Sequence, residues 1–115
     1  MIQVGKVKII NKTLHPVKIQ LPDGKVVSID PDIPPFRLHE VVESESTIAG
    51  LPIVHKKYIP DGEVPEKQKD VYYIVSALVK LHYPDRNDFL APDTGLASAV
   101  RDRNGCIIAV RRLMQ

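Results

Sequence analysis

Val17-Lys18-Ile19-Gln20-Leu21-Pro22-Asp23-Gly24-Lys25-Val26-Val27-Ser28-Ile29 reads as two strands joined by a tight turn. Val17, Ile19 and Leu21 alternate with Lys18 and Gln20, the two-residue period of a half-buried strand. Pro22 presets φ, Asp23 can close on nearby backbone, and Gly24 takes the left-handed position, so the chain reverses here. Lys25 to Ile29 returns as the partner strand. This hairpin sets the expectation of a mainly β chain.

Upstream of it, residues 4–10 read as a strand with Val7 and Ile9 on one face and Lys6 and Lys8 on the other. Asn11-Lys12-Thr13-Leu14-His15-Pro16 is a polar connector that its proline keeps extended. Downstream, Asp30-Pro31-Asp32-Ile33-Pro34-Pro35 is too proline-rich for helix or central strand. Phe36 to Ser44 and Ile53 to Tyr58 read as further strands. Residues 60–70 hold two prolines, one glycine and six charged residues, the pattern of an exposed loop and the segment expected to move most.

Val71 to Val75 is strongly strand-forming. The alternation then continues through Ala77, Val79, Leu81 and Tyr83, which would make one long strand. Against that, Ser76 is a good helix N-cap and Pro84 marks a stop, so the reading adopted is a strand to Val75 and a short helix from Ala77 to Tyr83. A last hairpin, with strands at 98–103 and 106–112, turns at Asn104-Gly105, a strong short hairpin signal. Six to eight strands and one helix predict a small, mostly antiparallel sandwich or barrel-like sheet in a single domain covering residues 1–115.

At 115 residues the chain suits one domain. With no Trp and only two Phe, its core must be built mainly from Val, Ile and Leu. A net charge of +2 is too small to make nucleic acid the expected partner. The single Cys106 excludes an internal disulfide, and no Cys or His spacing indicates zinc or any other metal. No cofactor motif is present. The start at Met1 lacks the apolar run of a signal peptide, and no stretch approaches a membrane span, so no membrane association and a cytoplasmic location are expected.

The chemistry-bearing residues concentrate late in the chain. Asp93-Thr94-Gly95 invites comparison with aspartic proteases, but only 20 residues follow it, too few for the sheet and flap that a paired-carboxylate site needs. A capped turn, with Asp93 and Thr94 closing on backbone amides, is the better reading. Arg101, Arg103, Arg111 and Arg112 sit on the terminal hairpin, with Arg86 in the loop before it. These arginines either brace the loop through Asp88, Asp93 or Asp102 or meet an anion. A loop of small residues flanked by arginines can offer both backbone N–H groups and a guanidinium to phosphate. The four histidines show no metal spacing. His15, locked between Leu14 and Pro16, is the most constrained of them.

Three stretches together resemble a group of small proteins encoded by phages, prophages and some bacteria. They are Asn11-Lys12-Thr13-Leu14-His15-Pro16-Val17, then Tyr73-Ile74-Val75-Ser76-Ala77-Leu78-Val79. The third is Pro84-Asp85-Arg86-Asn87-Asp88-Phe89-Leu90-Ala91-Pro92-Asp93-Thr94-Gly95, running on into Val100-Arg101-Asp102 and the Asn104-Gly105 turn. The resemblance implies context more than mechanism: small phage accessory proteins often act by binding, and one class sequesters nucleotide-derived immune signals in the host cytoplasm.

The expected function is therefore non-enzymatic binding of a small anionic ligand, a cyclic nucleotide or ADP-ribose derivative, with homo-oligomer formation as an accompanying expectation. Arg86 and Arg101 would contact phosphate, Thr94 and the backbone at Gly95 would donate hydrogen bonds, and His15 and Tyr73 would line the base or sugar. Ser76, Asp88 and Asp93 complete the candidate set. One alternative is a protein–protein module or minor phage structural component, with an apolar patch around Phe89 and Tyr58. Another is a small hydrolase acting through Asp88, Asp93 and His82.

Overall fold

The computed structural model describes residues 1–115 as two small mixed sheets, one short helix and a projecting two-stranded arm. The strands are β1 (Ile2–Val4), β2 (Val7–Asn11), β3 (Val17–Gln20), β4 (Val26–Ile29), β5 (Arg37–Ile48), β6 (Leu51–Asp61) and β7 (Val71–Ile74). The helix α1 (Ala77–His82) follows, then β8 (Phe89–Pro92), β9 (Ala99–Arg101), β10 (Ile107–Val110) and β11 (Leu113–Met114). The expected β-rich character and single helix are present. The number of strands exceeds the expectation, the sheets mix parallel and antiparallel pairs, and no barrel closes.

The first sheet has the order β1-β2-β7-β8-β11 and the second β4-β3-β10-β9. The expected hairpin is β3–β4, paired from Val17↔Ile29 to Gln20↔Val26. Asp23 accepts a hydrogen bond from the Lys25 amide at its turn. The continuous strand expected over residues 4–10 is instead broken at Gly5, whose φ of +59° lets β1 fold back on β2. β2 runs parallel to β7, and β7 parallel to β8. Parallel neighbours require long crossovers, and the β2–β7 crossover contains the second hairpin and the arm.

β7 divides the core because side chains alternate across a strand. Val71, Tyr73 and Val75 face one cluster with Phe36, Val79 and Phe89. Ile74 faces the other with Val17 and Ile29. The aromatic rings of Phe36, Tyr83, Phe89 and Tyr73 meet edge-on or tilted, with centroids 5.7–6.3 Å apart, the spacing that favours ring quadrupoles. Helix α1 begins where expected: the Ser76 Oγ accepts from the Val79 amide, and the fully buried Val79 pins the helix to the sheet. No helix is long and apolar enough to cross a membrane.

β5 and β6 pair with each other alone. Their register runs from Arg37↔Asp61 to Ile48↔Leu51, interrupted by a bulge between Val42 and Ser44. The two strands read from sequence as separate short pieces are thus one long hairpin. Its tip is Ala49-Gly50, both with positive φ, the turn that matches strand twist.

Candidate functional site

Asn11 is the organising residue at the crossing of β2, β7 and the 30–36 segment. Its side chain is fully buried. The Nδ2 donates to the carbonyls of His15 and Ile29 at 2.9 and 2.8 Å. The Oδ1 accepts from the Thr13 amide and the Thr13 hydroxyl at 2.9 and 2.6 Å. All the hydrogen-bonding capacity of the amide nitrogen is used, so a buried polar side chain becomes a rivet. The Lys12 amide donates to the Ile74 carbonyl, and the Phe36 amide to the Lys12 carbonyl. Through these bonds the 12–15 turn, the start of β5 and the residues leading into α1 are held side by side.

Where those segments meet they line a hollow of about 490 Å³. Its walls are Thr13, Leu14, His15, Phe36, Arg37, Leu38, Ser76 and Leu78. The volume lies within the range of small-molecule sites, roughly 300–1,000 Å³. Phe36, Leu38, Leu14 and Leu78 give it an apolar floor. His15 contributes its backbone carbonyl to the Asn11 and Thr13 side chains, while its ring makes no hydrogen bond in the protein. Arg37 has only a loose ion pair, 3.9 Å to Asp61, with both side chains more than half exposed. A guanidinium in that state is available to a ligand.

The late arginines behave differently. Arg86 Nε and Nη2 reach the two Asp88 carboxylate oxygens at 2.8 Å each, and Nη2 also donates to the Pro65 carbonyl at 2.6 Å. The guanidinium carbon lies 4.2 Å from the centroid of the Phe89 ring. Asp88 is almost fully buried, and the hydrogen bond from Arg86 holds its carboxyl below the usual carboxylate range. This fork-on-fork pair is the bracing ion pair that the sequence allowed as an alternative. It ties the 84–88 turn to the 62–68 loop.

Asp93 accepts from the Arg112 Nε at 2.6 Å and from the Gly95 amide at 3.0 Å. The first of these bonds chiefly lowers its pKa. The Asp93-Thr94-Gly95 triplet is therefore a turn closed by its own aspartate. A Cβ at Gly95 would approach Asp93 Oδ1 to 3.1 Å, so the turn is also sterically tight. The buried Ser98 Oγ finishes this corner by accepting from the Arg111 and Arg112 amides. Sequence reasoning passed over both Ser98 and Asn11, since a Ser or Asn that anchors backbone looks like any loop residue until its burial is known.

The nine candidate residues are not gathered in one place. His15 and Ser76 share the 490 Å³ hollow. Tyr73 lies under a second, larger hollow of about 710 Å³, where its hydroxyl donates to the Glu66 carbonyl; burial raises its pKa. Asp32, Glu63 and Glu66 line that hollow against a single cation, Lys12, whose Nζ donates to the Pro34 carbonyl. Its charge disfavours an anion. Arg86 and Asp88 form the brace, and Asp93 and Gly95 form the turn. Thr94 borders a shallow hollow of about 170 Å³ beside Val17 and Ile108. Arg101 is exposed on β9 and donates to the Gly105 carbonyl, closing its own hairpin.

Two other expectations change. The apolar patch looked for around Phe89 and Tyr58 does not include Phe89, which is wholly buried, and the half-buried Tyr58 packs against His82 with ring centroids 5.0 Å apart. The three residues of the hydrolase alternative each have a different partner. Asp88 holds Arg86, Asp93 holds Arg112, and His82 Nδ1 bonds the Leu78 carbonyl. No group of three or more His, Cys, Asp or Glu side chains is arranged to hold a metal ion. Comparison with known proteins finds no family, no curated protein and no solved structure that matches the chain.

Proposed function

We propose that the chain is a non-enzymatic binding protein that captures a small anionic, nucleotide-derived ligand in the hollow ringed by His15, Arg37 and Ser76. One observation carries this reading: Arg37, whose guanidinium is only loosely paired, and His15, whose ring has no internal partner, are both among the residues that border the same apolar-floored hollow. Phosphate would meet Arg37, whose planar fork suits bidentate contact. The base would lie over Phe36, Leu38 and Leu78, and His15 and Ser76 would address the sugar or the phosphate edge. The anion-contacting arginine in this reading is Arg37, with Arg86 holding the scaffold beneath. The resemblance of residues 11–17, 73–79 and 84–95 to phage-encoded proteins supplies a context in which sequestering a cyclic nucleotide or ADP-ribose derivative is useful.

Titration calorimetry against cyclic mononucleotides, cyclic dinucleotides and ADP-ribose derivatives tests the proposal. The expected result is saturable binding of at least one member, with the ligand recovered chemically intact after the protein is denatured. Absence of heat across the panel would overturn it, and recovery of a cleaved product would favour the hydrolase alternative.

A further inference from the structure

A two-stranded ribbon standing alone in water is at best marginally stable; strands usually need a third neighbour or a packed face. The β5–β6 arm has neither over most of its length. Its longer strand has 12 residues, which at about 3.4 Å each gives an arm about 40 Å long. None of its side chains is buried. Only its base touches the body, through Leu38 against the aromatic core and Tyr58 against His82.

The dimensions of the chain carry the same message. Its radius of gyration is 16.8 Å, where a compact chain of this length has about 13 Å. It exposes 8012 Å², where a compact monomer of this mass exposes about 6,300 Å². The surplus of about 1,700 Å² per chain exceeds the roughly 800 Å² that each partner contributes to an interface of ordinary size.

The cross-strand register sorts the arm into two faces. One carries Val41, Ile48, Leu51, Ile53 and Ile59, broken by Ser44, Ser46, His39, His55 and Lys57. Ile48 and Leu51 at the tip are each 64% exposed and Ile59 is 44% exposed, an apolar stripe with nothing on it. The other face carries the Glu40–Lys56 ion pair, 2.7 Å between charged atoms, and at its base turns toward α1. Glu45 also lies on this second face, with Val42 and Val54, while the first carries Lys57 midway along and Arg37 and Asp61 at its base.

We propose that a second copy of this chain covers the arm, the two ribbons stacking by their Ile48–Leu51–Ile53 faces about a two-fold axis along their length. That operation lays β5 of one copy over β6 of the other, so Ile48 of each copy meets Leu51 of its partner, once on each side of the axis. The packing is that of two small sheets face to face, with the aliphatic stripe dry between them. This sense of stacking sets aliphatic tip on aliphatic tip, whereas arms laid in the reverse sense would put each tip over the other copy's base, where Arg37 and Asp61 stand on the same face. The proposal stands independently of any ligand.

Sedimentation equilibrium of the whole chain tests it. At about 10 µM, where an interface of ordinary size is expected to be populated, the chain should sediment at twice 12.9 kDa. The double variant Ile48→Lys, Leu51→Lys should weaken the dimer at least about 100-fold by placing cations in the apolar stripe. The body should stay folded in that variant, as read by tyrosine near-ultraviolet dichroism. The same change on the opposite face, Val42→Lys with Val54→Lys, should leave the dimer intact. A wild-type monomer would overturn the proposal. So would a dimer indifferent to Ile48→Lys, Leu51→Lys, or one broken by the change on the opposite face.

Discussion

Arg86 and Arg37 are both arginines with an aspartate partner, and they play opposite parts. Arg86 is four-fifths covered, gripped by both oxygens of a buried Asp88 and seated over Phe89. Arg37 is more than half exposed and stands 3.9 Å from an exposed Asp61. The same residue type therefore serves as a structural brace in one place and as an open contact in the other. With three of its five N–H donors engaged and its plane over Phe89, Arg86 is committed to the scaffold, however conspicuous its loop is in sequence.

The largest expected effect is on the brace. Asp88→Ala leaves a covered guanidinium unpaired and should cost about 3 kcal/mol or more of stability, read from the urea midpoint. A loss below 0.5 kcal/mol, the scale of an exposed pair, would erase the contrast between the two arginines. Asn11→Ala comes next. It strands the carbonyls of His15 and Ile29 and the Thr13 amide, and should cost about 2 kcal/mol. It should also loosen the turn that presents His15, so ligand affinity should fall more than in a variant of equal instability elsewhere.

Acid should reveal the brace as well. The Asp88 carboxyl is held low in the folded protein, chiefly by the hydrogen bond from Arg86. Its contribution is therefore complete above the ordinary aspartate range and is lost as pH falls through the depressed folded value. Stability should decline steeply below that ordinary range in the wild type, and Asp88→Asn should flatten the decline. Arg37→Ala should sit at the small end for stability, within about 0.5 kcal/mol of the wild type, yet reduce affinity for an anionic ligand at least about tenfold.

Several of these elements were legible in sequence. The β3–β4 hairpin is an alternating run around Pro22-Asp23-Gly24, and α1 begins at a serine whose hydroxyl does cap it. The ion-paired reading of Arg86 was available because Asp88 lies two residues away. The arm was not legible. Its bulge between Val42 and Ser44 breaks the alternation that would have joined Phe36–Ser44 to the following residues, and its tip, Ala49-Gly50, lacks the usual Asn-Gly signature. Pairing of β2 with β7 spans a long stretch of chain, and no local pattern encodes such a partner. Arg37 escaped notice for a related reason. Its place beside His15 depends on the Phe36 amide reaching the Lys12 carbonyl, a contact between segments far apart in sequence.

The contrast between the two arginines is tested most directly by conservative replacements at both, Arg37→Lys and Arg86→Lys, each measured by calorimetric titration with the ligand that the wild type binds and by urea unfolding. Arg37→Lys should leave the urea midpoint where it was and weaken binding at least about tenfold, since an ammonium cannot make the bidentate contact. Arg86→Lys should lower the midpoint and leave the affinity of the folded protein unchanged. If Arg86→Lys removed binding while Arg37→Lys bound as the wild type does, the anion would be meeting the 84–101 loop, and the assignment of the hollow at His15 and Arg37 would be contradicted.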